Sequence, residues 1–133
     1  MTKIQKALAL IATFQSGDAK QAYDLLVGRH PEAMREYFDR DAYIQHNPQI
    51  ADGLSGLGAA LASMAEQGVN MVYTTVHQVL AQGDFALAMS EGTFGGEPTA
   101  YYDLFRVENG KIAEHWDVMA SIPSQAANSN GKF

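Results

Sequence analysis

Apolar residues recur along this chain in two different rhythms, one in each half. Over residues 3–15 they fall at Ile4, Leu8, Ile11 and Ala12, the spacing of a single helical face. A second helix is predicted after Asp18, which can cap it, with Tyr23, Leu25 and Leu26 as buried candidates and Gly28 as its stop. Pro31 suits the first turn of a third short helix carrying Met34, Tyr37 and Phe38. Residues 41–47 switch to a strand-like pattern that ends at Pro48. Residues 53–67 return to helical spacing through Leu54, Leu57, Leu61 and Met64, with glycines crowding the start. From Asn70 onward the period is two. Residues 71–80 alternate and are rich in Val and Thr, Gln82-Gly83-Asp84 marks a turn, and residues 85–94 pair back. Gly95-Gly96-Glu97-Pro98 marks the next turn, followed by strands over 101–107 and 111–119. The segment after Pro123 has the composition of a tail, ending in a Phe133 suited to docking.

Helices first and a meander of strands afterwards predict an α+β fold, with one face of a curved antiparallel sheet covered by helices. A cone of this kind leaves a cavity between sheet and helices, where small molecules commonly bind. At 133 residues the chain fits a single domain spanning 1–133, and 47% hydrophobic residues suffice for a real core. The net charge of −6 argues against nucleic acid as a partner, because phosphates demand basic patches. The absence of cysteine excludes disulfides, thiolate nucleophiles and sulfur-ligated metals. The longest apolar stretch, residues 7–14, is too short to span a membrane. Lys3 and Lys6 precede it, but Gln15, Asp18 and Lys20 continue with amphipathic spacing, so it reads as a helix of the mature fold. A cytoplasmic protein is expected.

The chemistry concentrates in residues 101–118, two strands around Glu108-Asn109-Gly110 that carry Asp103, His115 and Asp117. Charges on strands otherwise aromatic and aliphatic are costly to bury without partners. Strand side chains alternate, so turn length decides which of them share a face. A two-residue Asn109-Gly110 turn would pair Asp103 with Trp116 and turn His115 and Asp117 to the opposite face. A three-residue loop with Gly110 as a bulge would pair Val107 with Lys111. That register puts Asp103, Phe105, His115 and Asp117 on one face, and Leu104, Arg106, Ile112, Glu114 and Trp116 on the other. Asn-Gly suits both loops, so spacing leaves the choice open.

Gly110-Lys111-Ile112-Ala113-Glu114-His115-Trp116-Asp117 resembles the G-K-I-x-E-H-W-D run of the SnoaL-like polyketide cyclases, within the NTF2-like and ketosteroid isomerase superfamily. Tyr43-Ile44-Gln45-His46-Asn47-Pro48 followed by Asp52-Gly53 is similar to an earlier Q-H-N-P…D-G segment of one SnoaL-like group, and the tail after Pro123 is similar too. The resemblance implies the NTF2-like (cystatin-like) cone and a pocket lined by carboxylates from the last strands. Asp117 then matches the acid/base of the cyclases, and Asp103 a pocket aspartate of the isomerases. Both facing inward selects the three-residue turn.

The resemblance makes Asp117 the leading acid/base, since an apolar cavity favours a carboxylate that can take and return a proton. Asp103 would donate to an oxyanion or orient His115, and His115 would shuttle protons or polarise a carbonyl. The plainer reading of each is a rim or half-buried residue with ordinary partners. Tyr43, Gln45, His46, Asn47, His77 and Phe105 are the candidates for contacting substrate, although alternation turns His46 away from its neighbours and His77 can face either way. Asn47 stands where the ketosteroid isomerases carry their general base and cannot abstract a proton, which argues against steroid-type isomerisation. His46, His77 and His115 lack metal-ligand spacing, so neither metal nor other cofactor is expected. Trp116, Leu104 and Ile112 on the outer sheet face predict a homodimer through it. The expected function is cofactor-free acid/base chemistry on a small hydrophobic carbonyl compound: enolisation followed by cyclisation or isomerisation. The alternatives are a non-catalytic binding module, or an epoxide hydrolase or dehydratase in the same pocket.

Overall fold

Val, Thr, aromatic residues and period-two alternation in the second half of the chain build the four long strands of a sheet that has five strands among the described residues. The computed structural model describes residues 38–39, 42–109 and 111–133. The helices expected over 3–15, after Asp18 and after Pro31 lie outside the described residues. Within them, β1 (Ile44–Gln45) precedes α1 (Gly53–Glu66), and the long strands β2 (Met71–Gln82), β3 (Phe85–Phe94), β4 (Glu97–Glu108) and β5 (Lys111–Ser121) follow. The long strands meander antiparallel, whereas β1 lies parallel to β5, pairing Ile44 with Glu114 and Gln45 with His115.

α1 starts where its glycines begin. Gly53 takes φ 81°, which a residue with a Cβ resists, and its N–H donates to the Tyr43 carbonyl at 2.8 Å. Asp52 stands at the N-cap but makes no side-chain cap. Its Oδ1 accepts the backbone N–H of Gln45 at 2.9 Å instead, tying the helix start to β1. The helix buries Leu57 and Leu61 against the concave side of the sheet, where they meet Phe38, Tyr43, Tyr73, Ala88, Tyr101, Phe105 and Ile112 in one cluster.

The sheet bends at irregularities. β2 carries register shifts between Tyr73 and Thr75 and between Val76 and Gln78, and Gly92 sits opposite the first of them. A Cβ on Gly92 would fall 1.8 Å from the Val72 carbonyl oxygen, so the two strands approach too closely there for any side chain.

The β4–β5 hairpin departs from the register expected above. Glu108 pairs with Lys111 and Val107 with Ile112, so the three-residue loop pairing Val107 with Lys111 is not formed. Asn109, between the paired ends, is the non-glycine residue with positive φ among the described residues, at 52°. A register shift then follows between Arg106 and Val107: Arg106 meets Glu114, which leaves Ala113 with no opposite number. Beyond this bulge Phe105 pairs with His115 and Asp103 with Asp117. The facing of the charged trio is therefore the one expected, but a bulge produces it rather than the turn. The tighter turn, by pairing Ile112 with Val107, also corrects the placement of Ile112, which is buried in the core cluster and not on the outer face.

The large hydrophobics left exposed among the described residues are Ile44, Leu80, Phe85 and Val118, all on the outer side of the sheet. The tail crosses that side, with Phe133 stacked on His77 at 4.1 Å between ring centres and the Tyr102 hydroxyl donating to the Lys132 carbonyl. No helix among the described residues is long and apolar enough to cross a membrane.

Replacing Gly92 by Ala sets a methyl group against the Val72 carbonyl and forces β2 and β3 apart there. Chemical denaturation of Gly92→Ala is expected to show a loss of about 1–3 kcal/mol, the usual cost of overpacking.

Candidate functional site

All five strands and α1 converge on one cavity of about 460 Å³. Its walls are apolar: Phe38, Ile50, Leu57, Leu61, Met64, Met71, Phe94 and Met119. Gln45, Asn47, Asp103, His115 and Asp117 bring polar atoms to it from β1, the segment after it, β4 and β5. The volume and the contrast between greasy walls and a few convergent polar groups are those of a small-molecule site.

Asp103 is 5% exposed, a carboxylate nearly removed from water. Its partners explain how this is tolerated. The Tyr73 hydroxyl donates to Oδ2 at 3.0 Å, and His115 Nε2 lies 2.9 Å from Oδ1. Burial and then the nearby Asp103 charge hold the Tyr73 phenol well above its ordinary value, so it remains a donor at any working pH. His115 is held on three sides. Its ring stacks on Phe105 at 4.9 Å, and its Nδ1 lies 3.1 Å from Gln45 Oε1. Asp117 faces Asp103 across the strands, a like-charge pairing that is unfavourable unless both are compensated. Asn47 Nδ2 donates to both of its carboxylate oxygens, at 3.2 and 3.0 Å.

The β1 segment serves the site through backbone and side chain together. Gln45 Nε2 donates to the Tyr43 hydroxyl at 2.8 Å, and Gln45 Oε1 accepts the Asn47 backbone N–H at 3.0 Å. Asn47 Oδ1 accepts the Gln49 N–H at 2.9 Å. Tyr43, 1% exposed, packs edge-on against Phe38, and its phenol is pushed upward by burial first and then by Asp103, Asp117 and Asp52.

Asp103, His115, Asp117, Tyr43, Gln45, Asn47 and Phe105 thus all line the cavity. The other two sequence candidates do not. His46 turns to the outer face, stacked on Trp116 at 4.6 Å with Nε2 2.6 Å from Glu114. His77 stands beside an irregularity of β2 on that same face, 2.9 Å from Glu91. Strand alternation flips His46 away from Gln45 and Asn47, and the two irregularities of β2 made the facing of His77 unreadable from spacing. Tyr73, the donor to Asp103, was not singled out by the sequence for the same reason. A hydroxyl at an alternating strand position carries no signal until its partner across the sheet is known.

Asp103, His115 and Asp117 each present a potential ligand atom within 4.8 Å of the others. Both ring nitrogens of His115 already have polar partners, so coordinating a cation would require His115 to release Asp103 or Gln45. The grouping suits proton transfer better than metal binding.

A family model described as a SnoaL-like domain matches residues 19–115 of the chain. No curated protein matches it. Among solved structures, TsrD from Streptomyces laurentii is 20% identical, with 90% of this chain and 91% of that one covered at a TM-score of 0.60. A protein of unknown function with a cystatin-like fold from Xanthomonas campestris is 25% identical over 91% and 92% of the two chains, with a TM-score of 0.58. An NTF2-like protein from Anabaena variabilis is 14% identical over 91% and 95%, with a TM-score of 0.63. The fold is NTF2-like, α+β, as the sequence led us to expect.

Glu114, behind the site, is held below its ordinary value by its bonds to His46 and then Arg106, whose Nε donates to it at 2.8 Å. A lowered folded value means stability that is fully present above the ordinary glutamate value and lost as pH falls from there through the lowered one. Urea unfolding across pH is expected to show Glu114→Gln losing less stability than the parent protein below about pH 4.3.

Proposed function

Because the chain belongs to the SnoaL-like domain family, we propose that it is a cofactor-free acid/base enzyme acting on a small hydrophobic carbonyl compound. The observation that carries this reading is the position of Asp117 and the buried Asp103–His115 pair on the wall of an otherwise apolar cavity. A passive binder of greasy molecules has no need of two carboxylates and an imidazole there, each costly to desolvate.

In this reading Asp117 takes a proton from the carbon next to the carbonyl. The Asn47 amide steadies its carboxylate without competing for the proton, since Nδ2 only donates. Negative charge moves to the carbonyl oxygen, and hydrogen-bond donors in a water-poor cavity stabilise it far more than bulk water would. His115 and Asp103 polarise that oxygen or return a proton. The enolate then closes a ring by attack on a second carbonyl, or is reprotonated elsewhere to move a double bond. The apolar walls from α1 and β2 favour a substrate of mainly hydrocarbon surface. Steroid-type isomerisation is disfavoured, because Asn47, just after β1, stands where the ketosteroid isomerases carry their general base.

The test is α-hydrogen exchange. Cyclic ketones incubated with the protein in deuterated water are expected to exchange faster than in buffer, followed by proton NMR. Asp117→Asn should lower that rate by about 10²–10⁴-fold, the usual contribution of a positioned base. An undiminished rate would remove Asp117 from the mechanism.

A further inference from the structure

Two backbone N–H groups leave no freedom in how the site's amides point. The Asn47 N–H lies 3.0 Å from Gln45 Oε1, so that atom must be the oxygen and Nε2 must face the Tyr43 hydroxyl. The Gln49 N–H fixes the Asn47 amide in the same way, with Nδ2 toward Asp117. Proton positions follow. An amide oxygen only accepts, so the His115 Nδ1 that faces Gln45 Oε1 carries a hydrogen. His115 Nε2 and Asp103 Oδ1 are 2.9 Å apart, a distance at which two lone pairs would repel, so a further proton lies between them on one atom or the other. Asp103, His115 and Asp117 together then carry a single negative charge rather than two.

The same logic reaches Tyr43. Its hydroxyl oxygen accepts from Gln45 Nε2, and its own hydrogen has no acceptor among the described residues. Tyr43 is 1% exposed and lines the cavity. A buried hydroxyl hydrogen without a partner is costly, and one beside a site where an oxyanion forms is stabilised only as the reaction proceeds.

We propose that Gln45 is the positioning residue that sets the direction of the His115 and Tyr43 protons, and that Tyr43 is thereby the donor to the substrate oxygen on which negative charge develops. The second half rests on the enolisation reading above and names its oxyanion donor. Gln45 acts through others: its carbonyl holds His115 in the Nδ1–H form, and its amide hydrogen keeps the Tyr43 proton free for the cavity.

The experiment uses 4-nitrophenol, whose phenolate stands in for an enolate, and nitrobenzene as the neutral shape control. Tyr43→Phe is expected to weaken 4-nitrophenol binding at least about tenfold, the loss of one hydrogen bond to a charged oxygen, and to leave nitrobenzene binding within about twofold. Gln45→Glu replaces the donating amide nitrogen by an acceptor of the same shape, which captures the Tyr43 proton. In that background Tyr43→Phe should therefore have no further effect on 4-nitrophenol, a cycle that cancels the added charge. Nitrogen-15 NMR of the wild-type His115 ring should show Nδ1 protonated. The proposal is overturned by a bare Nδ1, by failure of the wild type to bind 4-nitrophenol, by equal losses for both probes, or by a Tyr43→Phe penalty that persists beside Glu at position 45. Neither the binding cycle nor the NMR requires turnover. Expected results in both with no α-hydrogen exchange would leave the proton arrangement standing and remove the enolisation reading; the reverse pattern would do the opposite.

Discussion

Ala113 occupies a strand position with no opposite number on β4, and this surplus residue decides which side chains share the cavity. The Asn109-Gly110 turn taken alone would have set Asp103 against Trp116 and split the charged groups between the two faces of the sheet. Shifting the register by one returns Phe105 opposite His115 and Asp103 opposite Asp117. Ile112, paired with Val107 on the turn side of the shift, faces inward as well and joins the core. A single irregular residue thus couples hydrophobic packing at one end of the hairpin to the chemistry at the other.

Bringing two carboxylates face to face inside an apolar cavity is unfavourable by itself, and the surroundings show how it is offset. Asp103 receives a hydroxyl from Tyr73 and shares a proton with His115, while Asp117 receives the Asn47 amide. These donors come from three separate segments, so no short stretch of chain can hold the arrangement alone. The same low dielectric that makes the charges costly to bury makes each hydrogen bond to them stronger. An acid/base site gains from this, because a proton removed from substrate has few competing acceptors. The family's fold suits such chemistry through its geometry: a bent sheet can close on a helix while leaving a hollow that side chains do not fill.

The shortest strand contributes more than its length suggests. β1 has two residues, yet its parallel pairing with β5 sets Gln45 directly beside His115. The turn after it supplies the Asn47 and Gln49 N–H groups that orient both amides, and Asp52 anchors Gln45 from the start of α1. Backbone groups do not rotate or titrate, so they give the side-chain network a fixed polarity.

Strand and helix positions were legible in the sequence because hydrophobic period is a local property. The spacing through Leu57 and Leu61 marked α1, and the Gln82-Gly83-Asp84 and Gly95-Gly96 signals bounded β3 at the residues where it begins and ends. The motif around His115 and Asp117 pointed to the family for the same reason, being contiguous. Facing was another matter. Alternation predicts it only while a ladder stays regular, and the irregularities at Ala113 and in β2 break that parity, so the bulge, the inward Ile112, the outward His77 and the role of Tyr73 were decided by how strands pair across the sheet. Partners lying thirty to seventy positions apart, such as Tyr73 with Asp103 or Asn47 with Asp117, meet only after the chain has closed on itself. Local sequence chose the elements, and the non-local hydrogen-bond ladder chose which atoms those elements bring into contact.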